Sequence, residues 1–329
     1  MKAAVITRFG GPDVLEIQTR PMPKPARGEV LVRVRASALN RADLHQREGN
    51  YPAPPGAVQD IPGLEFAGEI AKIGSGVTAW SIGERVFGIV AGGANAEYLI
   101  ADAEAIAAIP DSLSWTDAAA TPEAFITAFD AMVTQAQVRA GESVLIHAVG
   151  SGVGLAATQI ARAWQAVPYG TARAESKIQR ARDFGLQEGI VVGDDPQTIA
   201  EPIARWTNGK GIDVTLDLVG GAYVGANVRA AAQHGRIILI GTIAGRSASV
   251  PIGMILGKRL TLRGTVLRAR PIEEKRVVTA VFEREIVPLF ASGALKPNVD
   301  RIFSLEEIGA AHAHLASNST IGKVVIEIP

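Results

Sequence analysis

The sequence predicts an α/β protein built from a β-rich domain and a doubly wound, parallel, six-stranded sheet. Three observations predict it. Up to residue 113, strand-like runs follow one another closely, with no long helix between them. From Gly141 onward the rhythm changes, and apolar runs of strand length alternate with helical patterns. At the change stands Gly141-Glu-Ser-Val-Leu-Ile-His-Ala-Val-Gly-Ser-Gly-Val-Gly154, an apolar run that ends in a glycine-rich turn.

In chain order, residues 1–7 read as a strand, 10–12 as a turn and 21–28 as a proline-rich connection. Residues 29–36 alternate, with Val30, Val32 and Val34 on one face. A short helix is expected over 38–47, running into a loop over 49–56 where proline and glycine recur. Strands follow at 69–73, 83–88 and 96–100, which suggests a partly barrel-like domain. Ser114-Trp-Thr-Asp117 has helix-start chemistry, and 118–135 reads as helical with a break at Pro122.

In the second half, strands are expected at 144–146, 166–171, 189–192, 213–217, 234–241 and 260–266. Helices lie between them, at 175–184 and 199–207 among others, which makes the sheet parallel and doubly wound. Residues 273–290 form an amphipathic helix, and 322–328 a closing strand that should return to the first domain. The boundaries expected are 1–121 with 268–329 for the β-rich domain and 122–267 for the sheet domain.

Strand, glycine turn and helix in succession are how a dinucleotide-binding fold begins. Small residues in the turn let backbone N–H groups and the positive helix end approach a pyrophosphate. The strict G-x-G-x-x-G spacing is not met, because Val149 and Ser151 stand at its first two glycine positions. The looser form Ala148-x-x-Ser151-x-x-Gly154 fits, with Gly150, Gly152 and Val153 alongside and a hydroxyl at Ser151 that can reach a phosphate. A tight turn that binds nothing is the other reading of these residues alone.

Composition narrows the class. The chain has 329 residues, 47% hydrophobic and 20% charged, with a formal net charge of +0. No general electrostatic pull toward nucleic acid or an anionic membrane follows. No apolar run reaches the roughly 20 residues a membrane span requires, and the expected address is cytoplasmic. There is no cysteine, so disulfides, thiolate nucleophiles and cysteine-held metals are excluded.

Several stretches together resemble the medium-chain dehydrogenase/reductases, and within them the quinone oxidoreductase (zeta-crystallin-like) family. They are Leu39-Asn-Arg-Ala-Asp43, Gly49-Asn-Tyr51, Ile61-Pro-Gly-Leu-Glu65, Pro122-Glu-Ala-Phe-Ile-Thr-Ala128, the glycine turn, Asp217-Leu-Val-Gly-Gly221 and Gly322-Lys-Val-Val325. The branch typified by the tumour-suppressor-induced quinone oxidoreductase is the most similar. The resemblance implies a GroES-like catalytic domain, a Rossmann domain, NADPH as hydride donor and a homodimer joined along the sixth strand. Zinc-dependent members carry Gly-His-Glu, whereas Gly63-Leu64-Glu65 stands here. With no cysteine either, zinc-free reduction of an activated acceptor is expected, because a quinone needs little polarisation.

Site roles follow from the same resemblance. Tyr51 should hydrogen-bond the substrate oxygen, unless it is a loop aromatic stacked on Pro52 and Pro54. Asn40 should contact cofactor or substrate, while Asp43 is either catalytic or a group that orients backbone. Thr127, Val219, Gly241, Thr242, Leu267 and Asn318 are expected around the cofactor. The second strand lacks the terminal acid that selects NAD, and Arg173 and Lys177 follow it as a 2′-phosphate clamp. Glu175 and Val192 weigh against that clamp, the latter replacing a tyrosine common in the family. An NADPH-dependent enoyl or enone reductase is the rival enzyme. A cofactor-binding protein of crystallin or RNA-binding type is the rival of another class.

Overall fold

Period-two alternation of valines builds the strand on which the first sheet is assembled. The structure, a computed structural model, describes residues 1–329. Its first elements are β1 (Lys2–Ile6), β2 (Leu15–Thr19), β3 (Glu29–Leu39), α1 (Arg41–Arg47), β4 (Glu65–Ile73), β5 (Arg85–Ile89), β6 (Tyr98–Asp102), β7 (Ile106–Ala108), α2 (Trp115–Ala119) and α3 (Pro122–Phe129). There follow β8 (Ser143–Ile146), α4 (Gly152–Ala163), β9 (Val167–Ala172), α5 (Glu175–Asp183), β10 (Glu188–Val191), α6 (Ala200–Trp206), β11 (Ile212–Asp217), α7 (Ala222–Ala230), β12 (Ala231–Leu239), α8 (Ile252–Lys258) and β13 (Thr261–Gly264). The last are α9 (Ile272–Glu285), α10 (Val287–Ala291), β14 (Val299–Ser304), α11 (Ile308–Ala316) and β15 (Lys323–Glu327).

The chain divides into two compact units, one of Met1–Ile126 with Leu267–Pro329 and one of Thr127–Val266. In the first, the main sheet runs β14-β15-β3-β4-β5-β7, with β6 also paired to β3. Val30, Val32 and Val34 are fully buried and join Phe66, Ile70, Leu99, Val324 and Ile326 in one core. The closing strand β15 pairs antiparallel with β3 and parallel with β14, so the C-terminal tail completes the N-terminal sheet.

In the second unit, six parallel strands run in the order β10-β9-β8-β11-β12-β13. The order reverses between β8 and β11, and in such sheets ligands bind outside the carboxyl ends of the strands at that reversal. Val144, Leu145 and Ile146 of β8 are fully buried, as a central parallel strand requires.

Several elements differ from the sequence expectation for identifiable reasons. β3 continues to Leu39 and α1 begins only at Arg41, because the Asp43 carboxylate reaches back to the Asn40 N–H at 2.7 Å and fixes the helix start. The helix expected over 273–290 is two helices, α9 and α10, separated at Ile286 ahead of Pro288, which cannot continue the hydrogen-bond ladder. The helical stretch after Ser114 breaks before Pro122 and ends in a π-turn over Asp130–Gln135. β13 is shorter than the apolar pattern suggests.

One core residue sets an acid limit on stability. His312, on α11, is fully buried, and neither ring nitrogen has a hydrogen-bond partner. Burial, with a smaller contribution from Arg47, pushes its pKa down to about 3. The unfolded imidazole binds a proton near its ordinary 6.5, so stability is lost as pH falls below that value. The loss should reach about 2 kcal/mol between pH 6.5 and 5 from this residue alone. We predict that His312→Leu narrows the gap between urea midpoints measured at pH 7 and pH 5, without lowering the pH 7 midpoint.

Candidate active site

A buried carboxylate organises the polar part of the first unit. Glu65 opens β4 with no exposed side-chain surface, and its Oε1 lies 2.5 Å from the Lys323 Nζ at the start of β15. Oε1 also accepts from the Asn40 Nδ2 at 2.9 Å, and Oε2 accepts from the Glu123 N–H at 2.8 Å. That N–H belongs to the first turn of α3, where backbone donors lack partners within the helix. The Lys323 ammonium donates further to the Leu39 carbonyl and to the Asn40 Oδ1, at 3.0 and 2.6 Å. Every donor on the ammonium therefore has an acceptor, the condition under which a buried charge is tolerated.

Asn40 and Asp43 occupy this network differently from the expectation. The Asn40 amide is engaged by Glu65 and Lys323 within the protein. Asp43 is fully buried, with Oδ2 on the Asn40 N–H and Oδ1 on the Gly63 N–H at 2.9 Å. Burial pushes its carboxyl up to about 6, opposed by those two backbone donors. Both oxygens thus accept from backbone N–H groups, which ties the start of α1 to the Gly63 turn. Gly63 has φ +106, and a Cβ there would lie 2.6 Å from the Asn95 nitrogen, so only glycine fits beside Asp43.

Tyr51 is half-buried in the loop after α1, and burial pushes its phenol pKa up. The Arg268 guanidinium lies over its ring, 5.1 Å from the centroid, and the Arg268 Nη1 donates to the Tyr51 carbonyl at 3.2 Å. Arg268 is itself buried, donating also to the Gln46 Oε1 and the Ala91 carbonyl at 2.6 and 2.9 Å. Leu267, beside it, is buried. Asn318 is exposed at φ +61, and its Oδ1 accepts from the Arg41 guanidinium.

In the second unit the remaining predicted residues other than Thr127, which lies in α3, sit in the turns at the carboxyl ends of the parallel strands. Gly150 through Gly154 join β8 to α4, and Ser151 is the helix N-cap, its Oγ accepting from the Gly154 N–H at 3.1 Å. Its hydroxyl hydrogen is still available to a ligand. A Cβ on Gly154 would lie 2.5 Å from the Val149 carbonyl, which explains glycine at that position. A Cβ on Gly150 would lie 2.7 Å from the Lys177 Cβ, so the lysine stem runs along the turn. Arg173 is exposed just beyond β9. Val219, Gly241 and Thr242 follow β11 and β12 at the same edge, and a Cβ on Gly220 would meet the Gly241 carbonyl at 2.8 Å. Val192 and Thr127 are buried.

Below this edge lies a buried polar network. The His147 Nδ1 pairs with the Thr171 hydroxyl at 2.8 Å, and Nε2 with the Asn227 Oδ1 at 2.6 Å. The Asn227 Nδ2 donates to the Asp217 Oδ2, while the Asp217 Oδ1 accepts from the Val219 and Gly220 N–H groups. Because the Asn227 oxygen must accept, the proton sits on Nε2 and the Thr171 hydroxyl donates to Nδ1. Burial pushes the imidazole pKa down and keeps it neutral.

Glu65, Lys323, Arg268, Glu123, His147 and Asn227 were given no role from the sequence. Lys323 carried a signal, as a charge inside an apolar closing strand that cannot be buried without a partner.

A sheet with this strand order, a glycine turn at its carboxyl edge and a separate β-rich unit define a dinucleotide-dependent dehydrogenase or reductase. Family models agree: residues 26–111 match an alcohol dehydrogenase GroES-like domain and residues 152–283 a zinc-binding dehydrogenase. Quinone oxidoreductase of Lama guanicoe is 32% identical over 99% of this chain and 97% of that protein. Escherichia coli quinone oxidoreductase, solved in complex with NADPH, superposes with TM-score 0.89 at 28% identity, covering 99% and 100% of the two chains. The JamJ enoyl reductase gives TM-score 0.89 at 26% identity, covering 100% and 99%. The chain belongs to the medium-chain dehydrogenase/reductase family, in its quinone oxidoreductase-like, zinc-free branch.

The zinc of the wider family does not fit the residues present. No three histidine, aspartate or glutamate side chains converge, and buried Leu64 stands where Gly-His-Glu places a ligand.

Removing the partner of Glu65 should be costly. We predict that Lys323→Met destabilises the protein by about 3–5 kcal/mol, because an unpaired carboxylate is left buried. Combining it with Glu65→Gln should restore part of that loss, read as urea-unfolding free energies at pH 7.

Proposed function

We propose that this protein is an NADPH-dependent, zinc-independent oxidoreductase that reduces quinones by hydride or electron transfer from the nicotinamide. The observation that carries the reading is the glycine turn lined by Lys177 at the start of α4, at the carboxyl edge of the parallel sheet. Ser151, the N-terminal amides of α4 and the small residues of the turn are suited to the pyrophosphate. Arg173 and Lys177 follow the second strand, where a 2′-phosphate would stand. The bound cofactor would supply a hydride; the protein's part is to hold it, to orient the acceptor and to supply protons. Tyr51, held by Arg268, is the hydrogen-bond donor for the acceptor oxygen. The E. coli relative named above binds NADPH, which supports the cofactor assignment.

Reduction of an enone is the second reading, favoured by the likeness to an enoyl reductase. Both substrates present a carbonyl conjugated to the carbon that takes hydride. For assembly, we propose a homodimer joined at β13, which ends the sheet and is neighboured by exposed Ile252 and Leu256 of α8 and by exposed Val266. No helix is long and apolar enough to cross a membrane.

Following NADPH oxidation at 340 nm across ortho- and para-quinones and cyclic enones tests the reading. At least one class should turn over with NADPH in the absence of added metal, and continue in the presence of a chelator. Activity that requires zinc would overturn it. For the cofactor, wild-type protein should prefer NADPH over NADH by about 10- to 100-fold in binding, since two exposed charge-assisted contacts contribute about 1.4–2.7 kcal/mol together. The Arg173→Ala/Lys177→Ala double variant should lose most of that ratio in a fluorescence titration, mainly through weaker NADPH binding.

A further inference from the structure

The end of the parallel sheet opposite the glycine turn carries a cavity of its own. It measures about 430 Å³, within the range of small-molecule sites, and lies where β8, β11 and β12 begin. Its two carboxylates are already engaged. The Glu142 Oε2 accepts from the Arg236 Nη2 at 2.5 Å and from the Arg139 N–H at 2.8 Å. The Asp213 Oδ2 accepts from the Ser143 N–H, the Ser143 hydroxyl and the Lys210 ammonium, each at 2.9 Å. The donors are not all used. The Arg236 Nε is buried with no acceptor, and the Arg139 guanidinium stands exposed among the lining residues. Gln137 and His234, also in the lining, take left-handed backbone at φ 51 and φ 60. That conformation costs free energy in residues other than glycine and gathers at ligand sites.

A second cavity, of about 320 Å³, adjoins the first and shares Gln233 with it. Ile203, Ala204 and Ala230 give it an apolar wall, with Lys210 and Arg229 beside them. Lys258 lines it too, but its ammonium is spent on the Arg229 and Ala231 carbonyls where α7 meets β12, at 2.7 Å each. Leaving Lys258 aside, the two cavities hold four cations, Arg139, Arg236, Lys210 and Arg229, against the two carboxylates Glu142 and Asp213. The surplus is two positive charges, in a chain whose formal net charge is +0.

We propose that these adjoining cavities bind a phosphate monoester, its phosphoryl group between Arg139 and Arg236 and its ester group along the Ile203 wall. At neutral pH such a group carries a charge of about −1.5 to −2, which matches the surplus. Its three terminal oxygens accept from several directions. That suits donors spread over two arginines and the neighbouring glutamine amides better than it suits a carboxylate, which one guanidinium fork satisfies. A small rotation of the Arg236 side chain toward a phosphoryl oxygen gives its Nε the acceptor it lacks, and a buried N–H without one is costly. The site is separate from the cofactor edge: β8 begins beside it and ends at the glycine turn, so the length of that strand lies between the two. The proposal does not depend on the oxidoreductase reading.

The experiment titrates phenyl phosphate and inorganic phosphate into the protein by calorimetry, at low salt and about pH 7.5, where the phosphoryl group is mostly dianionic. NADPH is present at saturation so that the glycine turn is filled. Phenyl phosphate should bind at one site per chain with a Kd of about 1 mM or tighter, an affinity that two or three charge-assisted contacts supply. Inorganic phosphate should bind there about threefold more weakly or worse, since it leaves the apolar wall uncovered. Arg139→Ala and Arg236→Ala should each weaken phenyl phosphate about tenfold or more and leave NADPH affinity within about twofold. The Arg173→Ala/Lys177→Ala variant, titrated without cofactor, should bind phenyl phosphate as the NADPH-saturated wild type does. Binding that appears only in cofactor-free wild type would place the phosphate at the glycine turn and overturn the proposal. So would an unchanged Kd in Arg139→Ala, whose exposed side chain leaves the fold untouched and which decides should Arg236→Ala fail to fold. Equal affinity for the two probes would overturn the assignment of an ester.

Discussion

The 2.5 Å contact between Glu65 and Lys323 is the interaction on which the first unit depends. It joins β4, formed early in the chain, to β15, the last strand. Through Asn40 it reaches the start of α1, and through the Glu123 N–H it reaches the start of α3. A buried ion pair seldom adds much net stability, because removing two charges from water offsets their attraction. Its effect is to make alternative arrangements expensive. A tail docked out of register would leave two charges buried without partners, so the pair selects one register of β15 on β3. The apolar residues Val324, Val325 and Ile326 supply the burial that holds the strand there.

The second unit fixes its functional edge by other means. Asp217 spends one oxygen on the Val219 and Gly220 amides and the other on Asn227. Asn227 then orients His147, and Thr171 closes the chain of bonds from β9. The loops after three adjacent strands are thereby braced from beneath by groups that are, apart from Asp217, uncharged. That suits an edge that must receive an anionic ligand from above: the fixed dipoles of the α4 N-terminus stay exposed, while the polar atoms below are already satisfied. Ser151 fits the same pattern, with its oxygen used inside the turn and its hydrogen left over.

Much of this was legible in the sequence, and the boundary has a physical cause. Strand positions and the parallel sheet follow from local periodicity, which is a property of contiguous residues. Ser114 marks a helix start and Pro122 a break for the same reason. The helix expected over 38–47 is present but starts three residues later, at Arg41, because a single side chain, Asp43, decides where α1 begins, and the small residues before it suit either state. Tyr51 was legible as a polar group on a loop, but its support by Arg268 was not, since the two are brought together only by the fold. Glu65 and Lys323 were each visible inside motifs without revealing that they meet. Tertiary pairing of distant charges has no local period to read.

The exchange of a metal for this network changes what the protein must supply. A zinc ion would polarise a carbonyl and stabilise the oxyanion that hydride transfer creates. With Leu64 in the ligand position, an oxyanion would depend on hydrogen-bond donors alone. An oxyanion stabilised that weakly is short-lived unless a proton reaches it promptly. Glu65, of the Gly63-Leu64-Glu65 stretch, instead holds the start of α3 and the C-terminal tail, through the Glu123 N–H and Lys323. With no metal-ligand set, the buried charges of the first unit are spent on one another, which fixes the strands and helix starts rather than an ion.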